Sequence, residues 1–168
     1  MAVKRPSWRF KVGHGAVSFH DAFQGDVAFS LEADCGDCVI RRADGVFAYQ
    51  LAVVVDDAFQ GVNEVCRGID LIDSAATQRV IGAALALPEV RYAHVPLLRA
   101  PDGRRLAKRD ADADMGYLRE RFKTPEALLG YVCGLSGLMP SSDPVSLEEL
   151  LRAFDPDALR KPFVTVRF

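Results

Sequence analysis

Apolar and polar residues alternate with a period of two over residues 8–12 (Trp-Arg-Phe-Lys-Val) and again over 17–20, beyond a turn marked by Gly13 and Gly15. Residues 27–31 and 39–42 repeat the pattern, and Asp44-Gly45 signals a turn before Val46-Phe47. Short strands between Gly and Asp turns predict a small antiparallel meander over residues 8–48.

The texture changes at Tyr49. Residues 49–58 (YQLAVVVDDA) are nearly all apolar, and periodicity alone leaves a buried strand and a buried helix both open. Residues 62–66 alternate briefly and end in Arg67-Gly68. Residues 74–87 carry a helix signature: Ser74 as N-cap, then Ala, Val, Ile and Leu on one face until Pro88. Residues 91–98 (RYAHVPLL) read as a strand leading to a loop. Strand, helix and strand in that order predict a βαβ unit with a parallel sheet and a right-handed crossover.

A polar loop follows over 101–110, and helices are predicted at 115–122, 125–136 and 146–154. Pro125 suits a first helical turn behind a Thr124 cap, and Ser146-Leu-Glu-Glu149 approaches a capping box. Gly137 and Pro140 end the middle helix. The tail, 161–168, alternates again and reads as a strand that covers an exposed edge. No internal repeat or low-complexity stretch is present.

Composition narrows the class without naming a function. The 168 residues are 49% hydrophobic and 26% charged, which suits one globular domain or two small ones. With 21 Lys and Arg against 23 Asp and Glu, the chain is not a strongly basic nucleic-acid or membrane binder overall, although a local basic patch is compatible with that sum. There is no uncharged apolar run of membrane-spanning length, and residues 1–10 lack the apolar core of a secretory signal, so a cytoplasmic globular protein is expected. Among the four cysteines only Cys35 and Cys38 have CxxC spacing. A second such pair is missing, His14, His20 and His94 show no HxxxH spacing, and the pair leads into a strand rather than opening a helix. The plain reading of Cys35-Gly-Asp-Cys38 is a turn, and no zinc is expected.

Several residues could carry chemistry. In the loop over 101–110, Pro-Asp-Gly makes a tight turn, and Arg104, Arg105, Lys108 and Arg109 place four cations within six residues. Flexible cations of this kind could surround a polyphosphate, or form a solvated basic turn. Arg67 ends a predicted interior strand at the carboxyl edge of the βαβ sheet, where ligands usually bind. It could grip a carboxylate in bidentate fashion, or pair with Asp56, Asp57, Glu64 or Asp70. Tyr49 could bury its ring and offer its hydroxyl, or be a core tyrosine. Asp56 and Asp57 are adjacent, so their side chains diverge and suit capping better than acid–base partnership. His94, mid-strand among apolar residues, reads as a hydrogen-bonded core histidine. The Walker, GxGxxG, HExxH and GxSxG signatures are absent.

Four stretches taken together resemble a known family. These are 49–58, then Gly61-Val-Asn-Glu-Val-Cys-Arg-Gly-Ile-Asp70-Leu, then Tyr92-Ala-His-Val-Pro-Leu, then Arg105-Leu-Ala-Lys-Arg109. In that order they resemble the second half of the catalytic domain of glutamyl-tRNA synthetases, which are class I aminoacyl-tRNA synthetases. Lys108-Arg-Asp, Asp114-Met-Gly-Tyr-Leu-Arg-Glu-Arg-Phe and Pro125-Glu-Ala-Leu-Leu-Gly-Tyr favour the glutamyl-Q tRNA(Asp) subgroup. The resemblance runs over about 8–154, and the tail departs from it.

That resemblance implies an α/β fold: the second half of a Rossmann-like catalytic domain over 49–110, preceded by the meander at 8–48 as the end of a connective insertion. It is followed by a helical, stem-contact-like region over 111–160 and the tail at 161–168. It implies that residues 49–58 are helical. It implies a reaction that activates glutamate with ATP (with Mg2+) to glutamyl-adenylate and transfers it to tRNA. Tyr49 and Arg67 would contact glutamate. Residues 105–109 would be the KMSKS-like loop, with Arg105 and Lys108 serving ATP, Lys108 as its catalytic lysine, and the backbone at Leu98 and Leu106 near the adenine. The loop departs from the motif at Arg105 and Ala107, and no HIGH signature occurs in the sequence. The expectation is therefore a half-site that alone is weakly active or inactive. An exposed strand edge would invite a separate HIGH-containing half or a second copy. Two alternatives stand beside a split enzyme: a non-catalytic tRNA- or nucleotide-binding remnant acting through a partner, and a degenerate chain that persists by oligomerising.

Overall fold

A computed structural model describes residues 6–106 and 114–166. The chain forms two compact units, one ending at His94 and one beginning at Val95. Among the described residues no helix is long and apolar enough to cross a membrane.

The first unit contains β1 (Trp8–Phe10), β2 (Ala16–Asp21), β3 (Gly25–Ser30), β4 (Cys38–Arg41), α1 (Tyr49–Gln60), β5 (Glu64–Gly68), α2 (Ile72–Ala84) and all but the last residue of β6 (Arg91–Val95). Its main sheet has the order β3-β2-β6-β5. β2 and β3 form an antiparallel hairpin in register from Ala16↔Ser30 to Asp21↔Gly25, and β2 meets β6 in parallel at Asp21↔Tyr92. β1 and β4 pair apart from this sheet, antiparallel, with a register shift after Trp8. The strand expected at Val46-Phe47 reduces to one bridge, Arg41↔Phe47, because the chain turns at Asp44-Gly45 and enters α1 at once.

Residues 49–58 are helical, as the family resemblance implied. α1 stops at Gly61, which takes φ 72° and turns its N–H back onto the carbonyls of Ala58 and Asp57. β5, α2 and β6 realise the strand–helix–strand order, with β5 and β6 neighbours in the sheet. The start of α2 differs from expectation. It begins at Ile72 behind a 3₁₀ turn over Ile69–Leu71, and Leu71 rather than Ser74 is its N-cap. Ser74 lies inside the helix, where its Oγ accepts a 3.1 Å bond from Gln50 Nε2. Gln78 Nε2 donates to Gln50 Oε1 at 2.8 Å, so three polar side chains tie α1 to α2.

The core of this unit centres on Phe19, Ala75, Ala76 and Tyr92, with Val17, Val27, Phe29, Val65, Ile72 and Val90 packed around it. The two alanines are fully buried, so α2 can approach the sheet closely while the Phe19 and Tyr92 rings, 5.6 Å apart, fill the space beneath.

The second unit contains β7 (Leu97–Arg99), α3 (Met115–Phe122), α4 (Pro125–Ser136), α5 (Leu147–Ala153) and β8 (Phe163–Thr165). All three helices fall where the pattern places them, and their caps explain why. Asp114 accepts from the N–H groups of Gly116 and Tyr117, Thr124 accepts from Ala127 N–H, and Ser146 forms a full capping box with Glu149. The tail is a strand: β8 pairs in parallel with β7 from Leu97↔Phe163 to Arg99↔Thr165, and buries Val164 and Val166.

α4 packs against the loop that precedes α5 through two glycines one turn apart. A Cβ on Gly130 would land on the Asp143 carbonyl oxygen, and one on Gly134 would lie 2.6 Å from the Ser141 carbonyl oxygen. At Gly130 every near atom is backbone, so backbone must move, whereas at Gly134 the Ser142 Oγ crowds the same place at 2.5 Å. Gly130→Ala is therefore expected to destabilise the chain by about 2–3 kcal/mol despite the better helix propensity of alanine. Urea unfolding followed by α-helical circular dichroism checks this, and an unchanged or raised midpoint would contradict the packing described.

Candidate functional site

Neighbouring strands β2, β6 and β5 each end in a residue with chemistry. Asp21 is the last residue of β2, and His94 and Arg67 are the next-to-last residues of β6 and β5. The sheet order sets the three ends side by side.

Asp21 and His94 are both fully buried. Asp21 Oδ1 accepts from the backbone N–H groups of Phe23, Gln24 and His94, each at 3.0 Å, and Oδ2 lies 2.6 Å from His94 Nδ1. Burial alone would raise this carboxyl. The hydrogen bonds from His94 backbone and side chain, Gln24 and Phe23 together outweigh it and hold Asp21 below its ordinary range. Gln24 Nε2 donates to the His94 carbonyl at 2.6 Å and fixes the strand from the other side.

The far nitrogen of the same imidazole, His94 Nε2, accepts from Arg67 Nε at 3.2 Å. That bond requires Nε2 to be unprotonated, so Nδ1 carries the proton and donates it to Asp21. Arg67 Nη2 donates to the Leu71 carbonyl at 3.1 Å, and its guanidinium carbon lies 5.2 Å from the centre of the Tyr92 ring. Tyr92 in turn stacks on His94, with ring centres 5.8 Å apart. Burial raises the Tyr92 hydroxyl; Arg67 and Arg79 oppose the rise, while Asp57 and Tyr49 add to it. Arg67 is thus not the structural ion pair that was its alternative. Glu64 pairs with Arg91 at 3.1 Å, and the hydrogen-bond partners of Arg67 are a neutral imidazole and a carbonyl.

Tyr49 opens α1 and is 55% exposed, which corrects the expectation of a buried ring. The helix starts at this residue, so the side chain sits at its margin rather than beneath it. His94 is hydrogen-bonded and buried as expected. Its contact with Arg67, and the whole part played by Asp21, were not anticipated. The usable signal for His94 was that a βαβ sheet brings the ends of β5 and β6 to one edge; nothing in the sequence pattern sets β2, and so Asp21, beside them.

The second unit holds Leu98, Arg105 and Leu106. The Pro101-Asp102-Gly103 turn forms with Gly103 at φ 84°, closed by Gly103 N–H to Ala100 O at 2.9 Å and Ala100 N–H to Arg104 O at 3.0 Å. Leu106 N–H donates to Leu98 O at 3.3 Å, and Arg99 bridges Arg105. Leu98 and Leu106 are therefore brought together backbone to backbone, and Arg104 and Arg105 are exposed on the return limb. Lys108 and Arg109 lie outside the described residues.

A cleft of about 400 Å³ opens between α1 and α2, but it is lined mainly by apolar side chains and its arginine, Arg79, is already held by Glu89 and the Val90 carbonyl. It borders Tyr92 but not Arg67, so cavity volume and chemistry point to different places, and the polar network carries the site. Among the described residues no cluster of three or more His, Cys, Asp or Glu could hold a metal, and the cysteines are free thiols. Burial raises the Cys38 thiol, as it does those of Cys66 and Cys133, against the activation a reactive cysteine requires.

Comparison with known proteins places the chain. The sequence profile of class I tRNA synthetases (E and Q), catalytic domain, matches residues 3–164. The chain belongs to this family. The match extends to 164, into β8, and so takes in the first half of the tail over 161–168. Glutamyl-Q tRNA(Asp) synthetase of Symbiobacterium thermophilum is 45% identical over 152 residues, covering 90% of this chain and 47% of that protein. Glutamate–tRNA ligase 2 of Syntrophus aciditrophicus is 38% identical over 159 residues, covering 94% of this chain and 32% of that protein. In fold, the glutamate-tRNA synthetase crystal structure from Elizabethkingia anophelis superposes with a TM-score of 0.75 at 24% identity, over 95% of this chain and 36% of that one. The chain thus spans half or less of the length of the relatives it matches.

The Asp21 network carries a pH prediction. A carboxyl whose folded pKa is depressed adds stability that is complete above its ordinary value near 3.8 and lost as pH falls through the lower folded value. Urea midpoints of the wild type are expected to drop on acidification through that window. Asp21→Asn, already weakened by about 3 kcal/mol at neutral pH, is expected to show a shallower drop. Equal acid slopes in the two proteins would contradict the network.

Proposed function

We propose that this chain supplies the glutamate-gripping and nucleotide-loop elements of a glutamyl-type tRNA ligase. The reaction is activation of glutamate by ATP, with release of pyrophosphate, and transfer of the glutamyl group to tRNA, the glutamyl-Q tRNA(Asp) type being favoured by the relatives matched. The observation that carries the reading is Arg67, set at the sheet edge with its charge unneutralised by its hydrogen-bond partners. A guanidinium held this way attracts a carboxylate. Tyr49, exposed at the start of α1 and felt by the same Tyr92 that underlies Arg67, can offer its hydroxyl to the amino acid.

In the second unit the Leu98–Leu106 backbone pair would face the adenine, and Arg105 with Lys108 would follow the phosphates as charge shifts to the leaving pyrophosphate. Any Mg2+ would be held chiefly by the phosphates of the nucleotide. A site that grips one side of its substrates lacks the preorganisation that large rate gains require. The chain alone is accordingly proposed to be weakly active or inactive, and to act with a HIGH-containing half or as a homodimer. A second reading is a non-catalytic tRNA- or nucleotide-binding module acting through a partner or oligomer.

Glutamate-dependent ATP–pyrophosphate exchange distinguishes the two. Exchange is expected near background for the chain alone and at least about tenfold higher when a HIGH-bearing segment is supplied in trans. Arg67→Ala and Lys108→Ala are each expected to abolish that gain and return exchange to near background. A gain indifferent to both substitutions would sink the ligase reading. Salt-sensitive tRNA binding without exchange under either condition would establish the binding module instead.

A further inference from the structure

The guanidinium of Arg67 is not simply near the sheet edge; it is aimed. Its Nε is committed to His94 Nε2 and one Nη2 proton to the Leu71 carbonyl, while Nη1 donates to nothing among the described residues. A carboxylate can take an arginine in bidentate fashion along either of two edges, Nε with one terminal nitrogen, or the two terminal nitrogens together. The first edge is closed here because Nε is occupied. Only the edge formed by Nη1 and Nη2 remains.

What holds that orientation is a chain of increasing rigidity. His94 Nε2 accepts only while the ring proton sits on Nδ1, and Asp21 Oδ2 at 2.6 Å keeps it there. Asp21 cannot rotate away, because its other oxygen takes three backbone N–H groups. Both residues are wholly buried, so water does not compete for any of these bonds. Tyr92 stacks on the imidazole and lies under the guanidinium, which fixes the plane of each. The spacer matters as much as the anchor. Asp21 in direct contact with Arg67 would neutralise the arginine in place, whereas an imidazole between them passes on direction and leaves the positive charge facing outward.

We infer that His94, oriented by Asp21, is the positioning residue that presents Arg67 to a carboxylate end-on, through Nη1 and Nη2. This rests on the reading of Arg67 as the glutamate grip and goes beyond it by naming the edge used and the two buried residues that select it.

The test is nuclear magnetic resonance on the full chain labelled with 15N. In the wild type, the His94 ring is expected to show a protonated Nδ1 and an unprotonated Nε2, and the Arg67 Nε–H to exchange with water at least about tenfold more slowly than that of an exposed arginine. This measurement needs no variant, and a protonated Nε2 overturns the proposal. Two substitutions then separate positioning from packing. In His94→Gln the amide oxygen can reach the place of Nε2 and accept from Arg67; in His94→Asn the amide nitrogen can take the place of Nδ1 and donate to Asp21, leaving Arg67 without its acceptor. Arg67 Nε–H exchange is expected to accelerate about tenfold in His94→Asn and to stay within about threefold of wild type in His94→Gln, with glutamate affinity following the same order. Equal losses in both variants would make His94 a packing residue only and overturn the inference. Titration of the wild type with acetate and with glutamate completes the test. Arg67 terminal signals that move with neither overturn the end-on fork, while movement with acetate but not with glutamate leaves the positioning intact and removes the glutamate reading alone.

Discussion

A single buried carboxylate organises the edge of the first unit. The ladder between β2 and β6 consists of the Asp21↔Tyr92 pair, extended by Ala22 N–H to Tyr92 O at 2.8 Å. So short a contact gives little backbone bonding to join two strands. Asp21 adds what the ladder lacks: its side chain bonds the His94 N–H and ring on β6 while capping the Phe23 and Gln24 amides that turn β2 into β3. One residue thus closes a hairpin and ties two strands together. The cost is burial of a charge, which is tolerable because each oxygen is met by strong donors. Removing such a group leaves three amides and an imidazole without a partner in a site that water does not reach.

The placement of Arg67 follows from that constraint. A guanidinium loses little by remaining half-buried if its neighbours are a carbonyl, an aromatic face and an imidazole nitrogen, since its remaining N–H groups stay hydrated until a ligand replaces the water. A carboxylate partner from within the chain would have been the more stable arrangement for the chain by itself. The polypeptide has carboxylates nearby in sequence, and Glu64 on the same strand is engaged by Arg91 instead. Arg67 is left as a cation oriented by neutral groups, an arrangement suited to binding an anion rather than to holding the fold.

How much of this was readable beforehand depends on the range of the interaction. The helices of the second unit announce themselves through caps within four residues of their starts, so Thr124 and Ser146 could be read directly from local pattern, while the Asp114 cap emerges from the structure. The place of Arg67 at the end of β5 could be read because a strand–helix–strand order implies which strand ends share an edge. Asp21 could not, because its importance comes from β2 lying beside β6, 73 residues away in sequence, and a period-two pattern does not say which strands are neighbours. Ser74 was misread for a related reason. Before an apolar run a serine resembles an N-cap, yet a 3₁₀ turn starts the helix earlier and releases its hydroxyl to Gln50 on α1. Tyr49 shows the same limit, since hydrophobic context cannot distinguish a residue beneath a helix from one at its margin.

The second unit supports its loop by different means. β7 is bonded along one edge by β8, through Val166 N–H to Arg99 O at 2.8 Å and the pairs from Leu97↔Phe163 onward, and at Leu98 by the returning chain through Leu106 N–H. The Arg99 guanidinium lies 4.5 Å from the Phe163 ring centre, and Lys161 Nζ donates to the Ser136 carbonyl at 2.7 Å, so the tail is pinned on both sides of the strand it forms. The base of the turn is therefore held by main-chain bonds, and within the turn Arg104 is tied to Asp102 through both its N–H and its Nε. Around Arg67, by contrast, buried side chains aim a single cation. A carboxylate is a fixed planar target and rewards a fixed fork, whereas a polyphosphate whose charge moves during reaction is better met by several cations along one loop. Arg67 has the first form, and the adjacent Arg104 and Arg105 on the return limb suit the second.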